Sequence, residues 1–428
     1  MNRKQAQELI ANILEIPREG ELRIQVNGVN RLGTRFNDCA ISQNVLRQQT
    51  TLTLVARLEQ KQTSVTINTL DDRELIKTNI ESLFATCRHM PDDEEVMPAT
   101  GEVIDIDEHA FCSTTDATKI EDIGAWAALA CQAGTKAKID LAGLLEVGKM
   151  FTAYGDSNGG FAHERHHRID YHVTASGAHG SGWAEHQGVS IDADEVLTST
   201  QRAINKCARA QNPGLFKPRP ITVILEPQAV GDLLSMAFWY GFDQRAKDEG
   251  RSVFSHYDGD FGNLSLFSDP ASTINPSLSF TEEGIALGKS MWLDQGEMQQ
   301  LATNKYWAHK QDLTVKPSPR NLILSGAGTT LDDLVESTQD GILVTRFWYI
   351  RATDPGTLGF TGMTRDGTYR IKNGKVTNPV VEMRWNESVL RLLNNVVDSS
   401  EPIATGEFFP MAMPALKVEN FRFSSLSE

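Results

Sequence analysis

The chain has 428 residues, 40% of them apolar and 23% charged, a balance that excludes an intrinsically disordered protein and, at about 150 residues per domain, predicts two or three globular units. Lys and Arg total 41 against 56 Asp and Glu, for a formal charge of −15. The overall field therefore repels phosphate backbones and speaks against nucleic acid as the principal partner. No apolar run approaches the ~20 residues of a membrane span, and the densest stretch, Leu233 to Phe242, reads instead as a buried helix, so no membrane association is expected. The opening MNRKQAQELIANIL carries no apolar core followed by a cleavage site, so it does not read as a secretory signal. Cys39, Cys87, Cys112, Cys131 and Cys207 are scattered and form no CxxC, which predicts reduced thiols and a cytoplasmic location.

In chain order, Leu9, Ile10, Ile13 and Leu14 mark a first helix by their spacing. Alternating Leu22, Ile24 and Val26, then Leu52 and Leu54, then Val65 and Ile67, predict half-buried strands. Asp71-Asp72 opens a second helix with the stripe Ile76, Ile80, Leu83, Phe84 and Cys87. An acidic, poorly periodic stretch from Pro91 to about residue 108 reads as a linker. A helix near 116–132, strands around 140–152 and 161–175 joined at Asn158-Gly159, and a helix near 193–209 make a second unit that ends at Asn212-Pro-Gly. Ile221 to Leu225 then predicts a strand, and Pro227 starts a helix that reads through to Gly250. Residues 251–320 are loop-rich. Ser325-Gly-Ala-Gly leads into a helix with Thr330 as its cap and Asp333 three residues on, a turn that could also cradle an anion. Beyond Gly341, turn signals at Asp354-Pro-Gly, Arg365-Asp-Gly, Lys372-Asn-Gly and Thr377-Asn-Pro separate apolar strands, as in an antiparallel sheet or barrel. The expected fold class is α+β, with an N-terminal α/β half in two units (1–105 and 106–214) and a β-rich C-terminal domain (215–428) holding a buried helix.

His163-Glu164-Arg165-His166-His167 spells H-E-x-x-H, the zinc-protease pattern that needs both imidazoles on one helix face and the glutamate acting on bound water. Its surroundings alternate like a strand: Ile169, Tyr171 and Val173 against Arg168, Asp170 and His172. On a strand the two histidines stand about 13 Å apart, whereas zinc ligands lie roughly 2 Å from the metal. The local reading is a polar, solvated strand face. An autonomous metallopeptidase using His163, Glu164 and His167 remains the alternative and requires residues 161–170 to be helical.

The helix from Pro227 is apolar almost all round. Val230, Leu233, Leu234, Ala237 and Phe238 line one side, and Ser235, Met236, Trp239 and Tyr240 the other. Such a helix is core on every side or lines a subunit contact. Here a family resemblance enters. Leu233-Leu-Ser-Met-Ala-Phe-Trp-Tyr-Gly, followed by Gly250-Arg-Ser-Val-Phe-Ser, resembles the TldD-type segment LL-H-E-x-x-x-H-G and its G-x-S-V-F-S continuation. Arg35-Phe-Asn-Asp-Cys-Ala-Ile-Ser-Gln-Asn, Gly180-Ser-Gly-Trp-Ala, Thr345-Arg-Phe-Trp-Tyr-Ile-Arg, Leu358-Gly-Phe-Thr-Gly-Met-Thr-Arg-Asp-Gly and Met413-Pro-Ala-Leu-Lys-Val extend the likeness in order. On these segments the chain is similar to the TldD/PmbA metallopeptidase family, also called modulators of DNA gyrase.

The resemblance implies that the family's first histidine falls on Ser235, its glutamate on Met236 and its second histidine on Tyr240. No cysteine stands after Cys207 to supply the third ligand shortly before Met413. The implied role is a TldE/PmbA-type pseudoenzyme subunit, with no catalytic residue and no metal in this chain, and with zinc in a TldD-type partner. The implied assembly is a heterodimer with that partner or a homodimer, and the pair would carry out proteolysis of small unfolded proteins and peptides. Trp239, Phe347, Trp348 and Tyr349 are the candidates for lining a substrate surface. A peptide-binding scaffold without protease activity is the third reading.

Overall fold

The computed structural model describes residues 1–406 and 409–426. In the N-terminal half, α1 (Arg3–Leu14) leads into β1 (Glu21–Asn37), β2 (Ala40–Leu58) and β3 (Lys61–Ile67), followed by α2 (Arg73–Cys87). Next come α3 (Ser113–Ala117), α4 (Ile120–Ala137), β4 (Asp140–Asp156), β5 (Phe161–Ser176), β6 (Ser181–Gly188) and α5 (Ala193–Arg209). All six strands form one antiparallel sheet in the order β3-β2-β1-β4-β5-β6. The two expected units are therefore two cores on one sheet. Strands of 16 and 17 residues are long enough to carry them side by side. α1 and α2 cover Leu22, Ile24, Val26, Leu52 and Leu54 at one end. α4 and α5 cover Leu145, Val147, Ile169, Tyr171 and Val173 at the other.

Local chemistry sets the helix limits. Asp72 accepts a hydrogen bond from the Leu75 amide at the start of α2. The stripe Ile76, Ile80, Leu83, Phe84 and Cys87 is the buried face of that helix, each large side chain contributing about 1.5–3 kcal/mol. Asp192 and Glu195 form a reciprocal capping box on α5.

The C-terminal half begins with β7 (Pro220–Leu225), α6 (Pro227–Gly241) and α7 (Gln244–Asp248). The single helix expected to run to Gly250 is thus two, because Asp243 turns its carboxylate back onto the Ala246 amide and caps a new start. β8 (Leu266–Ser268), β9 (Ser290–Asp294), β10 (Glu297–Met298), α8 (Lys305–Gln311), β11 (Leu322–Leu324) and α9 (Leu331–Glu336) follow. β12 (Asp340–Asp354), β13 (Gly359–Lys372), β14 (Lys375–Pro379), β15 (Met383–Ser388), α10 (Val389–Asn394), β16 (Val396–Ser399), β17 (Ile403–Thr405), β18 (Met411–Met413) and β19 (Leu416–Leu426) complete the chain. A six-stranded sheet, β10-β9-β8-β11-β18-β17, lies beside a second one whose path β12-β7-β19-β15-β13 returns to β12 and closes a barrel. Phe347, Trp385 and Phe421 pack against one another in the core of this half, with ring centroids 4.7–6.2 Å apart. Arg365-Asp-Gly is not a turn, as its composition suggested. Asp366 (φ 57°) and Gly367 (φ 129°) lie inside β13, opposite an irregularity in the β12 register. The α+β class with a β-rich C-terminal half stands.

The two layers meet tightly where β6 crosses α5. A Cβ on Gly182 would lie 2.3 Å from both the Ala203 carbonyl oxygen and the Cys207 nitrogen. Backbone cannot yield as a side-chain tip can. Gly182→Ala is expected to destabilise the protein by about 1–3 kcal/mol, read as a lower urea midpoint of the full chain, and an unchanged midpoint would refute this packing.

Candidate functional site

β5 settles the surroundings of the H-E-x-x-H string. Pleating puts His163 and His167 on the helix-covered face with Ile169 and Tyr171, and Glu164 on the opposite face. The expected solvated face is wrong. His163, Glu164 and His167 are 2%, 0% and 5% exposed. The histidines fill the gap between the two cores, roofed by the 108–116 segment and the start of α1. His163 Nε2 lies 3.2 Å from the Met1 carbonyl. His167 Nδ1 accepts the Cys112 amide at 3.0 Å, and its Nε2 lies 3.5 Å from Asp116. Glu164 faces the C-terminal half and accepts the Ser279 amide at 2.7 Å and the Ser279 hydroxyl at 3.2 Å. Burial pushes its carboxyl up to about 7. Burial also lowers His163 and His167, and so favours neutral rings. The three side chains do not converge on one point, and each is engaged where it stands.

α6 is built to be one-sided. Pro227 occupies its first turn, and Val230, Leu233, Leu234 and Ala237 enter the C-terminal core. The opposite stripe begins at Asp232 and passes through Ser235 and Met236 to Trp239 and Tyr240. Trp239 is 84% exposed and Tyr240 is also open, so the helix is not core on every side. Ser235 donates its hydroxyl to the Asp232 carbonyl at 3.2 Å. Met236 packs against the core cluster, and Tyr240 meets Phe360 edge-on at 5.9 Å. This set does not fit zinc. A hydroxyl held by a helix carbonyl, a thioether and a phenol packed on an aromatic ring offer none of the imidazole, thiolate or carboxylate donors that zinc takes. Among the described residues, no three His, Cys, Asp or Glu side chains are grouped to hold a metal.

Of the aromatic candidates, Phe347 is core (3% exposed) and cannot line a surface. Trp348 and Tyr349 are exposed. The Arg365 guanidinium stacks on the Trp348 ring at 4.5 Å, and that of Arg346 lies 5.5 Å from it. Tyr349 holds φ 57°, a backbone region that bulky residues rarely enter.

One feature has no local sequence signal. Glu185 on β6, Thr405 on β17, and Gln228 and Asp232 on α6 form a relay between the two halves. The Thr405 hydroxyl contacts both the Glu185 carboxyl and Gln228 Oε1, the latter at 2.5 Å. Gln228 Nε2 donates to Asp232 at 2.7 Å, and the Phe347 amide donates to the other Asp232 oxygen at 3.1 Å. One hydroxyl proton cannot serve two acceptors. Thr405 can donate to an ionised Glu185; when Glu185 is protonated it can donate to Thr405 instead, leaving the Thr405 proton for Gln228. Burial, the dominant cause, pushes both Glu185 and Asp232 up to about 7. Glu185, Gln228 and Thr405 open onto a cavity of about 600 Å³ that Arg202, Lys206 and Ser400 also line.

A carboxyl whose folded pKa is raised binds protons more tightly folded than unfolded. Its contribution is therefore present at acid pH and is lost as pH rises from the ordinary carboxylate range through about 7. Glu185→Gln keeps a donor toward Thr405 and cannot ionise. Between pH 5 and pH 8 the variant should lose about 2 kcal/mol less stability than the parent, measured by urea midpoints at both pH values. Parallel losses would show that Glu185 is ionised throughout.

Residues 218–425 match the family model of the PmbA/TldA metallopeptidase C-terminal domain. No curated protein matches the chain at a significant level. Among solved structures it is similar to TldE from Thermococcus kodakarensis, at 16% identity and a TM-score of 0.86 over 98% of this chain and 100% of that one. A protein from Bacteroides thetaiotaomicron described as a modulator of DNA gyrase aligns at 19% identity and a TM-score of 0.84 over 99% of each chain. Another so described, from Thermotoga maritima, aligns at 14% identity and 0.82 over 99% of this chain and 100% of that one. At these identities the structural matches establish a shared fold over nearly the full length. Residues 218–425 thus carry the C-terminal domain of the PmbA/TldA metallopeptidase family, within a fold that the whole chain shares with TldE and the proteins described as gyrase modulators.

Proposed function

We propose that this chain is a non-catalytic, TldE/PmbA-like subunit of a zinc-dependent peptidase, paired with a TldD-type subunit that carries the zinc and acts on small unfolded proteins and peptides. What supports this reading is α6, where Ser235, Met236 and Tyr240, the residues that the resemblance sets at the family's ligand and base positions, make ordinary packing contacts. What this chain offers such a complex is a wall and a docking face. Trp239, Tyr240, Trp348 and Tyr349 are large, exposed and apolar, the kind of surface that a partner covers. Among the described residues no helix is long and apolar enough to cross a membrane; the scattered cysteines with no CxxC are what favour the cytoplasm as the proposed site of action.

The chain purified alone is expected to leave an unfolded peptide intact and to hold far less than one zinc per chain after dialysis against trace zinc. With a TldD-type subunit added, cleavage should appear and be abolished by a chelator. Robust cleavage by the lone chain would overturn the proposal. If partner and assay are in place and no cleavage follows, the chain is a peptide-binding scaffold instead.

The docking face is tested separately. Trp239→Ala removes a side chain that is 84% exposed, so the isolated chain should keep its stability to within about 0.5 kcal/mol. Association with the TldD-type subunit, or with a second copy, should weaken tenfold or more, as at a buried aromatic anchor. Unchanged affinity in sedimentation or titration calorimetry would remove Trp239 from the interface.

A further inference from the structure

Cys39 and Cys131 lie away from α6 and from the relay. Cys39 is the second residue of the β1–β2 turn, where Asp38 and Cys39 both take positive φ (50° and 55°). Its amide donates to the Leu141 carbonyl at 3.2 Å, which holds the turn against the start of β4. Its thiol lies 3.2 Å from the Ile139 carbonyl. A Cβ on Gly134 would come within 2.6 Å of that sulfur, so the space occupied by the thiol is the side chain that Gly134 lacks. Cys131 stands three residues before Gly134 on α4, a spacing at which neighbouring Cβ atoms are about 5–6 Å apart. Both cysteines line one cavity of about 550 Å³, together with Ala128, Thr135 and Lys136. Cys39 is half-buried on the open side, whereas Cys131 is buried. Burial first, and the neighbouring Cys39 second, hold the Cys131 thiol above its ordinary value. The outer sulfur therefore meets a reagent while the inner one waits as a thiol.

We propose that Cys39 and Cys131 form a two-thiol modification site that a low-molecular-weight disulfide of the glutathione class converts into an internal disulfide between the β1–β2 turn and α4. In the first step the Cys39 thiolate attacks one sulfur of the reagent, expels one thiol and keeps the other half as a mixed disulfide. In the second, Cys131 gives up its proton and attacks the Cys39 sulfur, forming the internal bond and expelling the second thiol. Two cysteines are oxidised, and one reagent disulfide is reduced to two thiols. A disulfide needs its Cβ atoms about 3.5–4.5 Å apart, closer than one helical turn. Closing that gap requires the turn, exposed at Asp38 and Ala40, to give up the Cys39 contacts with Leu141 and Ile139 and shift toward α4, which stays seated in its core.

The remaining cysteines are placed differently. Cys87 and Cys207 are buried, and Cys112 rests 3.0 Å from the Thr114 hydroxyl. The test uses the full chain carrying Cys112→Ser, incubated with glutathione disulfide and mapped by mass spectrometry without reduction. The expected product is two hydrogens lighter than the starting chain, links the peptides containing Cys39 and Cys131, and reverts with dithiothreitol. Adding Cys131→Ser or, to guard against unfolding α4 with a buried hydroxyl, Cys131→Ala should stop the reaction at a glutathione adduct on Cys39. A stable adduct on Cys39 with Cys131 intact, or no reaction at either sulfur, would overturn the proposal.

Discussion

The hydrogen bond from the Phe347 amide to Asp232 ties one side of α6 to β12, opposite the Val230, Leu233, Leu234 and Ala237 side that the core takes. A carboxyl placed mid-helix and taken out of water must find partners. Asp232 finds them in the β12 backbone and in Gln228 one turn earlier. Phe347 is anchored in its turn by Trp385 and Phe421, so the amide offered to Asp232 comes from a fixed strand. With Asp232 held there, Leu233, Leu234 and Ala237 point into the core. Positions 235, 236, 239 and 240 continue the Asp232 stripe, three, four, seven and eight residues along. The stripe runs from a covered, hydrogen-bonded end to an open aromatic end.

The same carboxyl is the last member of a relay that starts in the other half of the chain. Glu185 and Thr405 are 220 residues apart in sequence, and the Thr405 hydroxyl joins the Glu185 carboxyl to Gln228. The connection between β6 and β17 is thus sensitive to protonation, whereas the apolar cores on either side of it are not. Glu164 adds a second buried carboxyl at the join, pinned by Ser279 of the C-terminal half. Two acids held near neutrality by burial across one interface are a physical reason for the halves to associate more firmly at mildly acid pH.

What the sequence disclosed depends on how locally each feature is determined. α2 was legible to the residue, because its cap and its five-residue stripe both lie within one short segment. The β5 alternation was legible too, but its burial was not. A polar–apolar strand reads as one face in water, and nothing near Glu164 in sequence announces that Ser279 will cover it. The break between α6 and α7 did have a signal, Asp243 three residues before Ala246, and apolar continuity through Phe242 masked it. Arg365-Asp-Gly has turn composition but sits opposite a β12 irregularity that allows a bulge within a continuing strand. The relay had no signal, since its members belong to three distant segments and acquire their chemistry only on assembly.

The contacts of Ser235, Met236 and Tyr240 also explain how α6 stands without metal ligation. A zinc site stabilises a fold by drawing distant ligands onto one ion, and removing the ligands leaves the helix to be held by other means. Here Met236 adds apolar contact to the core, Ser235 keeps its hydroxyl bond within the helix, and Tyr240 rests its ring against Phe360. Each of these side chains is engaged by the protein where it stands. Asp232 ties the helix to β12 and to its own first turn. The fold can therefore stand with a site of a different chemistry, or with none, while the stripe keeps its shape and its exposed aromatic end.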